Sequence, residues 1–252
     1  IVRKRVQNMV NIYVYKNHLE QQVQEQTAVL RKAYEKLEKQ KERVEKLNKD
    51  ILDMLCTIVE FRNLESGEHI MRVKGYTKIL AEKFKELYPE YNLTDEMIDN
   101  IVEASALHDL GKISIPDKIL LKPGKLTKEE FEYMKLHTVK GCELIQAVNL
   151  EQSEELKQIC YDIIRYHHER YDGKGYPDGL KGDEIPVSAQ LVSLADVYDA
   201  LINERCYKDA FSNEKAFNVI MNGECGTFSP KLLETFKQVR DKFERFAIEE
   251  RK

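Results

Sequence analysis

The chain lacks any apolar run close to the ~18 residues that a bilayer-spanning helix needs, and it shows no secretory leader. It also lacks a basic excess: 40 Lys and Arg face 44 Asp and Glu, for a net charge of −4. With a pI near 6.0 no cationic surplus can displace phosphate counterions, so no DNA or RNA polymer is expected as a partner. Paired cysteines are missing too. Cys56, Cys142, Cys160, Cys206 and Cys225 are odd in number, widely spaced and form no CxxC, the pattern of free thiols in a reducing cytoplasm. Gly and Pro are scarce, at 11 and 6 of 252 residues, and no stretch alternates with the period of a strand. What remains, 42% apolar and 33% charged, suits a helix-rich soluble protein. The expected fold class is all-α, with no membrane association. The chain opens on Ile1 rather than Met, so we read it as part of a longer protein.

From Val2 to Phe61 a seven-residue repeat is sustained without Gly or Pro. One column reads Val2, Met9, Lys16, Val23, Leu30, Leu37, Val44, Ile51, Ile58; the column three residues later reads Arg5, Ile12, Leu19, Gln26, Ala33, Gln40, Leu47, Met54, Phe61. Lys, Glu, Gln and Arg fill the intervening positions. This is the a/d pattern of a coiled coil, on a helix of about 90 Å at ~1.5 Å per residue. A stripe that long has nothing in its own helix to bury it, so a parallel homodimer is expected, with Lys16, Gln26 and Gln40 fixing register at some cost in stability. We assign residues 1–50 as a coiled-coil linker helix and 51–252 as a globular domain.

Beyond residue 50 the periodicity becomes that of ordinary amphipathic helices. One spans Glu68 to Tyr88 and stops at Pro89. Thr94 caps a helix expected to reach about Leu110. Thr127 and Glu130 form a capping box for another, to about Val148. Further helices are expected over 152–168, 187–204, 212–222 and 230–247, the last with Ser229 as cap and Pro230 at its first position.

Five of the six histidines fall in this part. Glu65 and His69 are four apart and share a helix face. His108 and Asp109 are adjacent, His137 lies on the boxed helix, His167 and His168 end the next, and Asp196 interrupts an apolar helix. Imidazole and carboxylate without nearby cysteine suit Fe, Mn, Zn or Ni in a non-structural site. The donors exceed what one ion needs. Two ions a few ångströms apart, with Asp109 as bridge, are suited to phosphodiester cleavage by activated water, and Lys112 could neutralise a phosphate oxygen. Each residue taken singly has a structural reading as well: a core histidine, a buried cap, an ion-pair partner. Glu169 reads either as a surface acid or as a group that orients a ligating histidine.

Residues 108–126, HDLGKISIPDKILLKPGKL, and 167–180, HHERYDGKGYPDGL, resemble the two signatures of the HD-GYP family. These are bacterial metal-dependent phosphodiesterases of the HD superfamily that hydrolyse cyclic di-GMP. The resemblance continues through RNLESGEHIMRV, ADVYDAL, ERCY and GTFSP and covers about residues 51–248. It implies an HD-type helical bundle and a role for each matching position. His69, His108, Asp109 and Asp196 correspond to the basic metal set, and His137, His167 and His168 to ligands that enlarge it. Glu65 corresponds to a residue that admits a third ion in some members. The cofactor implied is two or three divalent ions, Fe or Mn. Lys112 and Asp109 correspond to catalytic positions; Tyr176, Asp199, Arg205 and Lys112 correspond to groups that contact the cyclic dinucleotide. The product implied is linear pGpG, with cleavage to GMP left open. Two alternatives remain: a phosphodiesterase for another cyclic dinucleotide, or a catalytically weak module that binds cyclic di-GMP or a partner protein. The first residues, IVRKRVQNMVNIYVYKNHLEQQV, resemble the last helix of a response-regulator receiver entering an output linker, which implies an upstream receiver domain.

Overall fold

The structure, a computed structural model, describes residues 2–62, 68–147, 154–203 and 210–249. Among these there are helices and 3-10 turns but no strand. The chain divides into two units between Leu52 and Asp53. Helix α1 is Val2–Arg62. In the first unit, heptad residues such as Met9, Ile12, Leu19, Val23, Leu30 and Leu37 are exposed. In the second unit, the last turns of α1 bury Cys56, Val59 and Glu60 while Ile58 and Phe61 stay exposed. Helix spacing of three and four puts the buried three on the face away from the heptad columns.

The second unit continues with α2 (Glu68–Leu87), α3 (Asp95–Ser105), the short α4 (Asp117–Leu120) and α5 (Lys128–Ala147). It is completed by α6 (Glu154–Tyr166), α7 (Val187–Ile202), α8 (Asn213–Met221) and α9 (Pro230–Glu249). Local chemistry sets the starts. Thr94 Oγ1 accepts from Met97 N at 3.1 Å. In the capping box, Thr127 Oγ1 accepts from Glu130 N at 3.2 Å and Glu130 Oε2 accepts from Thr127 N at 2.8 Å. Ser212 and Ser229 each accept from a backbone N–H three residues on, at 3.2 and 3.1 Å. Such caps satisfy donors that a helix leaves open at its first turn.

One boundary differs from expectation in a way that matters. α3 ends at Ser105 rather than near Leu110. The backbone tightens into three-residue bonds, Leu107 N to Ala104 O at 2.9 Å and His108 N to Ser105 O at 3.3 Å, then a 3-10 turn at Leu110–Ser114. This tighter winding carries the buried His108 and Asp109.

Helix α7 is the hub, apolar on nearly every side, with Leu191, Val192, Leu194, Ala195 and Tyr198 fully buried. It packs on α2 and α6, and α9 packs on α2 as well. Tyr76, Tyr198, Phe236 and Phe243 interlock there, with ring centroids 4.7 to 5.7 Å apart, mostly edge to face. Phe243 has no exposed surface. Phe243→Ala is expected to cost about 3–5 kcal/mol, read as a lower urea midpoint for the globular unit at unchanged slope.

Candidate metal centre

Five parts of the bundle each deliver a donor to one place. The first turn of α2 brings His69, the wound segment after α3 brings His108 and Asp109, and α5 brings His137. The end of α6 brings His167 and His168, and α7 brings Asp196. Two groups result: His69, His108 and Asp196; and Asp109, His137, His167 and His168. Within each, one ligand atom per residue lies within 4.8 Å of all the others. Asp109 joins them. Its Oδ1 is 3.2 Å from His137 Nε2 and 3.9 Å from His167 Nε2, while Oδ2 is 3.2 Å from His108 Nε2. Asp196 Oδ1 lies 3.8 Å from His69 Nε2 and 3.9 Å from His108 Nε2.

The imidazoles are oriented from behind. His108 Nδ1 meets Ser105 O at 2.8 Å, His137 Nδ1 meets Met134 O at 2.8 Å, and His167 Nδ1 meets Ile163 O at 3.0 Å. A carbonyl only accepts, so each Nδ1 is the donor and the Nε2 lone pair faces inward. That is the arrangement by which a protein fixes a metal-binding histidine. His69 Nδ1 bonds a carboxylate instead, Asp199 Oδ2 at 2.7 Å. At the centre, His108 Nε2 and Asp109 Oδ1 are buried without a hydrogen-bond partner. Such atoms are rare because desolvation without a partner is costly. Nitrogen and oxygen donors converging on these atoms fit divalent cations.

A family model described as HD domain matches residues 65–232. The chain belongs to the HD domain family. Both HD-GYP signature stretches lie within the matched span. The chain is similar to a cyclic di-GMP phosphodiesterase of Vibrio cholerae, 43% identical over 192 residues, covering 75% of this chain and 39% of that protein. It is also similar to a 3'3'-cGAMP-specific phosphodiesterase of the same species, 38% identical over 196 residues, covering 78% of this chain and 35% of that protein. It thus spans under half the length of either relative. A crystal structure of a cyclic GMP-AMP specific phosphodiesterase from V. cholerae shares the fold, with a TM-score of 0.57 at 16% identity over 81% of this chain and 51% of that one.

Around the donors this HD domain places several residues that the sequence did not mark. Arg62 spends its whole guanidinium on the segment that carries Lys112. It donates to the carbonyls of Ile113 and Ile115 at 2.8 Å and of Lys112 at 3.2 Å, and to Asp117 Oδ1 at 2.6 Å. Lys112 Nζ sits 2.6 Å from Asp109 Oδ2 and 3.9 Å from the buried Glu60. Glu169 is neither a surface acid nor a partner of a ligating histidine. It is buried, and its Oε1 accepts from the backbone N–H groups of Asp178 and Gly179 at 2.8 and 2.9 Å. It thereby anchors the GYP loop. A Cβ on Gly175 would fall 2.3 Å from Glu169 Cα, so only glycine lets that loop close. Tyr176 lies over His168, with centroids 4.7 Å apart and planes at 32°.

Asp199 departs from its expected place against the ligand. Only 1% exposed, it accepts from Arg72 Nε at 2.6 Å and Asn203 Nδ2 at 2.9 Å as well as bonding His69. Both oxygens are consumed, so its geometry is that of a group orienting His69. Glu65 and Arg205 lie outside the described residues.

Electrostatics divide the histidines. Burial alone lowers His108, but the charges of Asp109 and Asp196 outweigh it and push it up to about 10. Burial likewise lowers His69, yet the Asp199 hydrogen bond and the Asp196 charge leave it raised. Burial wins at His137, His167 and His168, which are lowered and stay neutral. Asp109 is held well below the carboxylate range: burial opposes this, but Lys112 and His108 prevail. In the metal-free protein at pH 7, His108 therefore carries a proton that a cation must displace. Titration calorimetry in buffers of different ionisation enthalpy is expected to show about one proton released from His108 per centre filled at pH 7, and fewer as the pH rises toward 10. A second expectation concerns packing. A Cβ on Gly111 would lie 1.8 Å from His137 O and 2.6 Å from Gly141 N, so α5 must move. Gly111→Ala should lower stability by about 1–3 kcal/mol and reduce the metal retained per chain, measured by elemental analysis.

Proposed function

We propose that this chain is the catalytic part of a metal-dependent phosphodiesterase that hydrolyses cyclic di-GMP to linear pGpG, with cleavage to GMP left open. The observation that carries this reading is Asp109, whose two oxygens face two separate sets of imidazoles. Two divalent ions, Fe or Mn, suit these sets, and Glu65 would add a third if it joins them. When bound, such ions supply an activated water and positive charge for the phosphoryl oxygens. The chain's own residues do the rest. His137, His167 and His168 stay neutral, and the first two hold their Nε2 lone pairs inward. Lys112, tethered through Arg62 and paired with Asp109, keeps an ammonium at the edge of the centre where a non-bridging phosphate oxygen would lie. Tyr176 presents an aromatic face beside His168 for a base, and Arg205 is proposed as a further ligand contact.

The similarity to cyclic di-GMP phosphodiesterases supports the substrate, and the cGAMP-specific relative keeps a mixed guanine–adenine cyclic dinucleotide as the second reading. We also propose a cytoplasmic homodimer paired through residues 1–50, behind an upstream receiver domain. Support comes from the exposed heptad columns and from unbridged Cys56, Cys142 and Cys160. Among the described residues no helix is long and apolar enough to cross a membrane.

Anaerobic turnover of cyclic di-GMP, with metal content determined on the same sample, tests the enzyme. Hydrolysis should scale with two or three equivalents of Fe or Mn and fall more than about a hundredfold in Asp109→Ala. A fully metallated protein that binds cyclic di-GMP and leaves it intact would make this a receptor module. Sedimentation of the whole chain at micromolar concentration should give a dimer; a monomer would end the coiled-coil proposal.

A further inference from the structure

We propose that Phe131 and Lys135 form a purine-and-phosphate subsite beside the metal centre. One base of a bound cyclic dinucleotide packs on the Phe131 ring, and the phosphate that is not being cleaved pairs with Lys135. The inference rests on the phosphodiesterase reading and extends it to two residues to which neither the sequence motifs nor the metal geometry gives a role.

Residues 131 and 135 are one helical turn apart, so α5 sets them on one face. The same helix carries His137 into the metal centre two positions later. Phe131 is 45% exposed. Its ring meets that of Tyr176 edge to face at 6.3 Å, and Tyr176 in turn lies 4.7 Å from the His168 ring. An unbroken aromatic path therefore leads from a metal-binding imidazole to an open phenyl face. Lys135 Nζ lies 5.1 Å from the Phe131 centroid and 5.5 Å from that of Tyr176. Its partner is Glu132 Oε1 at 2.7 Å, on a side chain that is 68% exposed. A solvated pair of this kind contributes little, so a phosphate can take the ammonium without a large loss.

Ligand chemistry matches this layout. On the proposed reading the metal centre engages one phosphodiester and Tyr176 faces one base, which leaves the second phosphate and the second base unheld. A flat purine is suited to an aromatic face, and the anionic phosphate to an adjacent ammonium. Stacking reads any base, so this subsite recognises a purine without choosing guanine over adenine.

The test compares two substrates in the full chain loaded with Mn(II): cyclic di-GMP, and bis(p-nitrophenyl) phosphate, which has no purine and no second phosphate. In Phe131→Ala the ratio of kcat/KM for cyclic di-GMP to that for the nitrophenyl ester should fall about tenfold. The fall should lie in KM, and it should be recovered in Phe131→Trp. Lys135→Met should lower the ratio too and flatten the salt dependence of KM. The same Phe131→Ala factor is expected with 3'3'-cGAMP. An unchanged ratio in both variants, or equal losses on both substrates, overturns the subsite. If the parent protein cleaves the ester but no cyclic dinucleotide, the substrate reading fails, and equilibrium binding of cyclic di-GMP then decides the subsite. Weaker binding in Phe131→Ala sustains it, and equal binding ends it.

Discussion

A carboxylate with almost no solvent is expensive to keep ionised, and the Asp109 side chain is that carboxylate. Lys112 at 2.6 Å and the His108 imidazole at 3.2 Å, both against Oδ2, make it tolerable. The rest of the globular unit can be understood as the means of bringing those groups to it. The donors come from α2, the segment after α3, α5, α6 and α7, so no pair of adjacent elements could build the site alone. α7 must be apolar around its circumference to sit among them. α3 must stop early so that the chain can wind more tightly and carry both His108 and Asp109 into the interior.

Much of this was legible in the sequence because it has local causes. Thr94, the Thr127–Glu130 box and Ser229 announce helix starts through hydrogen bonds spanning three residues. The seven-residue repeat announces α1. The seven described candidate donors stand out because histidine next to acid in apolar surroundings is an uncommon pattern, and because the resemblance to HD-GYP proteins puts them in one list. Their division into two groups that share Asp109 is information only the fold supplies.

What escaped the sequence depends on long-range partners. Arg62 reads there as one more basic residue near the end of a charged helix, yet it clamps a segment fifty residues away. Asp199 sits in a motif that suggested ligand contact, and a residue 130 positions earlier in the chain, His69, consumes it. Glu169 follows two candidate metal-ligating histidines and invites a role beside them, whereas its Oε1 is held by the loop ahead of it. The end of α3 was misplaced because helix propensity does not register the three-residue bonds that His108 and its neighbours adopt.

On the proposed phosphodiesterase reading, these long-range contacts separate two tasks. The candidate donors, Lys112 and their supports are buried or nearly so, and on that reading they would answer to a phosphate and its charge. A phosphate group is the same in every cyclic dinucleotide, so this rigid interior cannot by itself distinguish one base from another. Discrimination has to come from groups that reach past the phosphate and retain open surface. Glu169 fixes the loop that carries Tyr176, and the capping box fixes the start of α5, which carries Phe131 and Lys135. The rim is thus mounted on the same elements as the metal centre, with α5 contributing to both. On that reading a ligand held at the rim would be placed in register with the candidate metal centre, and substitutions that alter the rim's faces would change recognition without rebuilding the site beneath.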